Sequence, residues 1–293
     1  MADFSNMFSG VFDVWTKNFL EFFVVYVLLA AVILGLTDLG GILLLHTPVL
    51  SGAFGGVTTV PSFTSLDLGA FVAYEILVAL VSWFFGSIAI GSMTDFSVRR
   101  YRGEKVRLGE SFSRGFQRLP SVLGANFLVT LATTGAIVLP LFVALMGVLS
   151  FATSPDVAVG VLCGFVLALP FLVVLILYLL LSLSLYGPAI MVEGAAAVES
   201  LQRSWALTKG YKWSIFGTAL ILGLLSVLFS VVAFVVGLVA ANGLVTLVAS
   251  ILLSGLTGGW FTILVAVVYH LILRDQRAAP WPWPYPPAPV PPR

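Results

Sequence analysis

The sequence predicts an all-α membrane protein: six transmembrane helices, grouped as three units of one amphipathic helix and one hairpin, with both termini cytoplasmic. Three observations predict it. First, 60% of the 293 residues are hydrophobic and only 9% are charged, where a soluble domain carries roughly a quarter charged residues. Mean hydropathy is +1.10, and only a bilayer can cover so much apolar surface. Second, six apolar runs of membrane length recur, and the 14 Lys and Arg avoid every other connection between them. Third, one short pattern of letters occurs twice along the chain.

The spans are expected at about 20–45, 68–93, 121–150, 157–187, 214–241 and 244–273. Asp38, Gly40 and Gly41 interrupt the first near its far end. Pro140 and Pro170 lie within the third and fourth and should kink them. Asn242-Gly243 is a strong turn dipeptide, so the last two spans form a tight hairpin. Gly160-x-x-x-Gly164 and Ser254-x-x-x-Gly258 have the spacing that lets helices approach closely.

Charge placement fixes the orientation. Lys17 precedes the first span; Arg99, Arg100, Arg102, Lys105, Arg107, Arg114 and Arg118 separate the second from the third. Arg203, Lys209 and Lys212 separate the fourth from the fifth, and Arg274, Arg277 and Arg293 follow the sixth. The positive-inside rule makes that side cytoplasmic, at the cell membrane. A span more or fewer would break the pattern. The Gly-, Ser- and Thr-rich stretch 46–67 reads as an outer loop, with a re-entrant segment as the alternative.

The cytoplasmic connections carry helical stripes. Leu108, Phe112, Phe116 and Leu119 form one, Val198, Leu201 and Trp205 another, and Phe8, Val11 and Trp15 a third. Each suits the membrane surface or the inner face of the bundle. The repeated letters are Glu110-Ser111-Phe112-Ser113-Arg114-Gly115-Phe116 and Glu199-Ser200-Leu201-Gln202-Arg203-Ser204-Trp205. They divide residues 1–273 into units of about 1–94, 95–190 and 191–273, parallel rather than inverted because each holds an even number of spans. Residues 274–293 form a Pro-rich cytoplasmic tail, in polyproline II or disordered. It reads as a docking segment for a protein partner, or as a free tail whose Trp281 and Trp283 dip into the headgroups.

The stretch Pro188-Ala189-Ile190-Met191-Val192-Glu193-Gly194, with Ala197-Val198-Glu199-Ser200-Leu201-Gln202-Arg203-Ser204-Trp205-Ala206-Leu207-Thr208-Lys209-Gly210, resembles the signature of the membrane-domain family named after glycerophosphoryl diester phosphodiesterases. Lys17-Asn18 before the first span is similar too. The resemblance implies the membrane region alone, because the chain has no room for the soluble phosphodiesterase domain. It implies no esterase activity.

Chemistry inside a membrane needs polar groups there, and each is expensive. Glu75, in the second span, is the candidate intramembrane site for a proton or cation, or else a hydrogen-bonding group between helices. Glu193, Arg203 and Lys209 form a candidate cytoplasmic-face cluster, with Glu193 expected to pair with Arg203 or Arg99. Arg99, Arg100, Arg102, Arg107, Arg114 and Arg118 are candidate contacts for anionic lipid headgroups. Glu21 is placed where it can snorkel to water, and His270 reads as structural. Hydrolase, protease and nucleotide motifs are missing from the letters. The lone Cys163 cannot form an intrachain disulfide. No catalytic residue, metal or cofactor is expected, and a net charge of +1 argues against nucleic acid. No cleavable signal peptide is expected at the N-terminus. Three functions follow: a non-catalytic scaffold or accessory protein meeting lipid or protein at the cytoplasmic face; a small transporter or channel past Glu75; or a lipid-modifying enzyme at that same face.

Overall fold

The computed structural model describes residues 3–45, 68–149, 155–240 and 243–278, and all of the elements among them are helical. In chain order they are α1 (Phe4–Lys17), α2 (Phe19–Leu45), α3 (Leu68–Tyr101), α4 (Leu108–Gln117), α5 (Leu119–Leu149) and α6 (Pro155–Leu183). There follow the single turn α7 (Tyr186–Pro188), a π-helical turn (Ala189–Glu193), α8 (Ala197–Thr208), α9 (Lys212–Ala240), α10 (Gly243–Thr257) and α11 (Gly259–Ala278). Six candidate membrane spans lie among them. The stretch 46–67, expected as an outer loop, Asn242 of the expected turn and the tail beyond Ala278 lie outside the described residues.

Two spans depart from expectation. The second runs past residue 93 to Tyr101, so Asp95, Arg99 and Arg100 ride on helix rather than in a loop, and the chain breaks over residues 102–107. The sixth is two helices, parted at Gly258. Gly258 and Gly259 lie backbone-first against Tyr26 and Phe22 of α2, and a Cβ on Gly259 would come 2.9 Å from the Phe22 ring. Tyr26 and Thr262 share a hydroxyl hydrogen bond of 2.7 Å across the same contact. The expected close approach at Gly258 is thus present. Gly160 and Gly164 differ: no atom comes within 4 Å of a Cβ built on either, and Cys163 beside them faces outward.

The packed core sits at one end of the bundle. Met7, Val11 and Val14 recur on one face of α1 and are buried against residues of α9 and α11, such as Ile215, Val267 and Tyr269. Gly10 lets α1 come in, since a Cβ there would meet Val267 at 2.9 Å and the Tyr101 ring at 3.2 Å. Asp3 starts α1 by accepting the Phe4 N–H at 2.8 Å. The opposite halves of the long helices expose large apolar side chains, including Leu28, Phe142, Leu167 and Phe234. Lipid is the environment that suits such surfaces.

In the other two short helices the expected stripe is split: Leu108 and Phe112 pack against the core and Leu201 against a second cluster, while Phe116, Val198 and Trp205 face out. In α4 the buried residues are Ser111 and Gly115, while Phe116 is 53% exposed. In α8 Ser200, Ser204, Leu207 and Thr208 are buried, while Val198 and Trp205 are 58% and 42% exposed. Small side chains let these helices lie close to the spans; Gly115 rests on the backbone of Ser92. Of the aromatic residues in the two stripes, Phe116 and Trp205 are left facing out.

Candidate functional site

The repeated letters acquire a structural meaning at this end. Ser111 and Ser200, and likewise Gly115 and Ser204, are the inward small residues of α4 and α8. The Arg between them reaches an acid on a preceding helical element in both copies, within α3 for the first and in the π-helical turn just before α8 for the second. Arg114 Nη1 lies 3.8 Å from Asp95 Oδ1, and Arg203 Nε lies 3.1 Å from Glu193 Oε2.

Glu193 closes the π-helical turn after the fourth span, and Gly194 follows with φ +74°. The turn aims the carboxylate at the sixth span, where the Tyr269 hydroxyl donates to Glu193 Oε1 at 2.6 Å. Arg203 therefore is its cation, rather than Arg99. Lys209, the third member of the expected cluster, is exposed at the C-terminal cap of α8. Ser204 ties α8 to the end of α6: its hydroxyl donates to the Ser182 carbonyl at 2.8 Å and accepts the Leu185 N–H at 2.9 Å. Thr208 donates to that carbonyl too, at 3.3 Å. Arg118 donates to the Gly194 carbonyl at 3.4 Å, joining the start of α5 to the turn. Glu193 and Arg203 are both already engaged within the fold, and the signature residues around them act as joints between helices.

Asp95 is 4% exposed. Arg99 and Arg114 approach it at 3.9 and 3.8 Å. Arg99 further holds Glu104 at 2.8 Å and Glu110 at 3.7 Å. Arg100 pairs with Glu21 at 3.7 Å and lies over the Phe96 ring. Of the six arginines expected at headgroups, Arg99 and Arg100 are thus largely occupied inside the protein. Arg102, Arg107, Arg114 and Arg118 are exposed, together with Lys105. Glu75 sits on an exposed face of α3, while Leu77 and Tyr74 turn toward Gly40 of α2.

A crevice of about 700 Å³ opens between α1 and α11, lined by Asn6, Ser9, Asp13, Tyr101, Arg274 and Asp275 among others. Asp13 is held by Lys17 at 2.7 Å. His270 stands edge-on to Tyr101, their rings 5.2 Å apart. Burial, and next the Asp275 carboxylate, push the Tyr211 phenol above its ordinary range.

Sequence reasoning missed Tyr269, Asp95 and the Ser204 joint. Tyr269 sits inside an apolar run with no motif, and only the fold brings it to Glu193. A clue to Ser204 existed: it is the small residue of the repeated pattern, and small residues mark close helix contacts.

These features define a multi-pass integral membrane protein with six candidate spans and a polar, tightly joined end. The chain belongs to the family described as Domain of unknown function (DUF7847), whose model matches residues 18–274. No curated protein matches it, and no solved structure does.

Proposed function

We propose that this protein is a non-catalytic membrane scaffold or accessory protein whose basic end holds anionic lipid headgroups at the cytoplasmic face. The observation that carries the reading is the connection between α3 and α4. Arg102, Lys105 and Arg107 stand exposed there, and α4, which follows, turns the Phe116 ring outward. An exposed basic segment beside an interfacial aromatic residue attracts anionic headgroups, at about 1 kcal/mol per cation near the surface. Glu193 and Arg203 supply joints instead of a free acid and base, so lipid-modifying chemistry gains no support from them.

The order short helix, long helix, long helix in the first two units, and short helix, long helix, broken helix in the third, supports the three-unit reading, and the placement of the basic residues supports both termini cytoplasmic. The resemblance to the phosphodiesterase-associated membrane domains belongs to the same proposal, as a shared layout without the activity. The Pro-rich tail is the proposed contact for a protein partner.

The test is lipid competition by native mass spectrometry on the full chain. Wild type should retain phosphatidylglycerol over phosphatidylcholine, and the triple variant Arg102→Gln, Lys105→Gln, Arg107→Gln should lose most of that preference. An unchanged preference sinks the reading.

A further inference from the structure

At the same end, Lys212 sits in an unusual environment. Its ammonium lies 3.4 Å from the centroid of the Tyr178 ring and 4.9 Å from that of Trp205. The two rings meet edge to face, 5.4 Å apart. Lys17, Arg99, Arg100, Arg114 and Arg203 each have a carboxylate partner. Among the described residues no ion pair joins Lys212 to an acid; its partners are rings.

An ammonium carries three N–H donors. Ring faces attract the charge from one side, but they leave donors on the other side without an oxygen acceptor. That side opens outward, because both rings are partly exposed and the neighbouring Trp213 is 85% exposed. The location sets what can fill it. Tyr178 is near the end of the fourth span and Lys212 opens the fifth. This is where Trp and Tyr of membrane proteins meet headgroups. Further along α6, Phe171 and Val174 share the exposed face of Tyr178 at helical spacing, continuing it as an apolar track.

We propose that Lys212, with Tyr178 and Trp205, seats the phosphate of one phospholipid, whose acyl chains run along Phe171 and Val174. A compact lysine charge suits a phosphate without demanding two-pronged geometry. A quaternary ammonium ligand is disfavoured, since Lys212 already occupies the ring faces. The site rests on the reading that this end lies at the headgroups. It differs from the α3–α4 connection in needing only a phosphate, so it takes zwitterionic and anionic phospholipids alike.

The test is titration of the full, delipidated chain in detergent, followed by native mass spectrometry. The probes are dioleoyl phosphatidylcholine, dioleoyl phosphatidylglycerol, dioleoylglycerol and inorganic phosphate. Wild type should bind one molecule of either phospholipid more tightly than dioleoylglycerol. Lys212→Met should weaken that binding about fivefold, the effect of roughly 1 kcal/mol, and Lys212→Arg should largely retain it. Trp205→Leu, which keeps the charge and removes a ring, should weaken it as well and serves if Lys212→Met does not fold. Equal binding by wild type and both variants overturns the proposal, as does dioleoylglycerol binding as tightly as phospholipid. Displacement of the lipid by inorganic phosphate assigns the seat to a free anion and overturns the lipid. The triple variant of the α3–α4 connection should keep this bound phospholipid, which separates failure here from failure of the broader reading.

Discussion

The Tyr269 hydroxyl donates to Glu193 at 2.6 Å, bridging the sixth span to the turn that ends the fourth. Arg203 from α8 approaches the same carboxylate at 3.1 Å. Three parts of the chain therefore converge on one carboxylate, whose side chain is 19% exposed. Removing a partner should leave that charge poorly compensated, as hydrogen bonds to charged groups contribute roughly 1.5–3 kcal/mol. Tyr269→Phe keeps the ring and deletes only the hydroxyl. It should destabilise the protein by about that amount, read as a lower midpoint in detergent-titrated unfolding. No shift in midpoint would show that the bond is not formed.

Ser204 serves two backbone groups at the end of α6. Ser204→Ala should leave the buried Leu185 N–H without its acceptor, at a cost of about 1–3 kcal/mol. Faster proteolysis near residues 183–196, with the rest of the chain intact, is the expected signature. Uniform proteolysis matching wild type would count against the joint.

Glycine substitutions should separate the tight contacts from the open face. In Gly115→Ala the new methyl would lie 3.0 Å from the Ser92 nitrogen, and backbone cannot swing away as a side chain can. Overpacking of this kind costs roughly 1–3 kcal/mol. Gly164→Ala meets no atom within 4 Å and should be neutral or stabilising, by up to about 1 kcal/mol from helix propensity. Paired thermal unfolding of the two variants checks both; equal midpoints would contradict the packing.

Gly210 holds φ at +94° between α8 and α9, with nothing near its Cβ position. Gly210→Ala should cost about 1–2 kcal/mol through backbone strain alone. Gly194, at φ +74°, adds a contact: a Cβ there would lie 3.0 Å from the Arg118 guanidinium. Gly194→Ala should therefore cost at least as much, measured in the same unfolding experiment.

Glu75 tests the scaffold against a transporter. The scaffold reading expects proteoliposomes of wild type and of Glu75→Gln to show the same pH-driven proton flux as empty vesicles. A wild-type flux abolished in Glu75→Gln would move the function to transport.

Orientation is checked with one thiol. In a Cys163→Ala background, Lys105→Cys should react with a membrane-impermeant maleimide only in inside-out vesicles. Labelling in right-side-out vesicles would reverse the assignment of the basic end.

Much was legible in the letters, and for a physical reason. Hydrophobic run length alone locates helices that must cross a bilayer, so the span positions are close to those observed. Charge placement was equally readable, since charged groups avoid the hydrocarbon. The repeated pattern marked two helices with matched roles, and Glu193 with Arg203 was the one predicted pair that the structure brings together.

Other features depended on neighbours that the letters cannot reveal. Periodicity finds an apolar stripe but not its environment. In water such a stripe would turn to the core, yet beside lipid the small residues Ser111, Gly115, Ser200 and Ser204 go inward while Phe116 and Trp205 face out. The break at Gly258 depends on where Phe22 and Tyr26 of a distant span come to rest. Which arginines are internal depends on where Asp95, Glu104 and Glu21 lie in space. The sequence by itself determined that this is a membrane protein and where its spans run, because the bilayer reads hydropathy residue by residue. Only the tertiary structure decided which polar groups meet, because those contacts join residues as far apart as Glu193 and Tyr269 and exist only once the helices have packed.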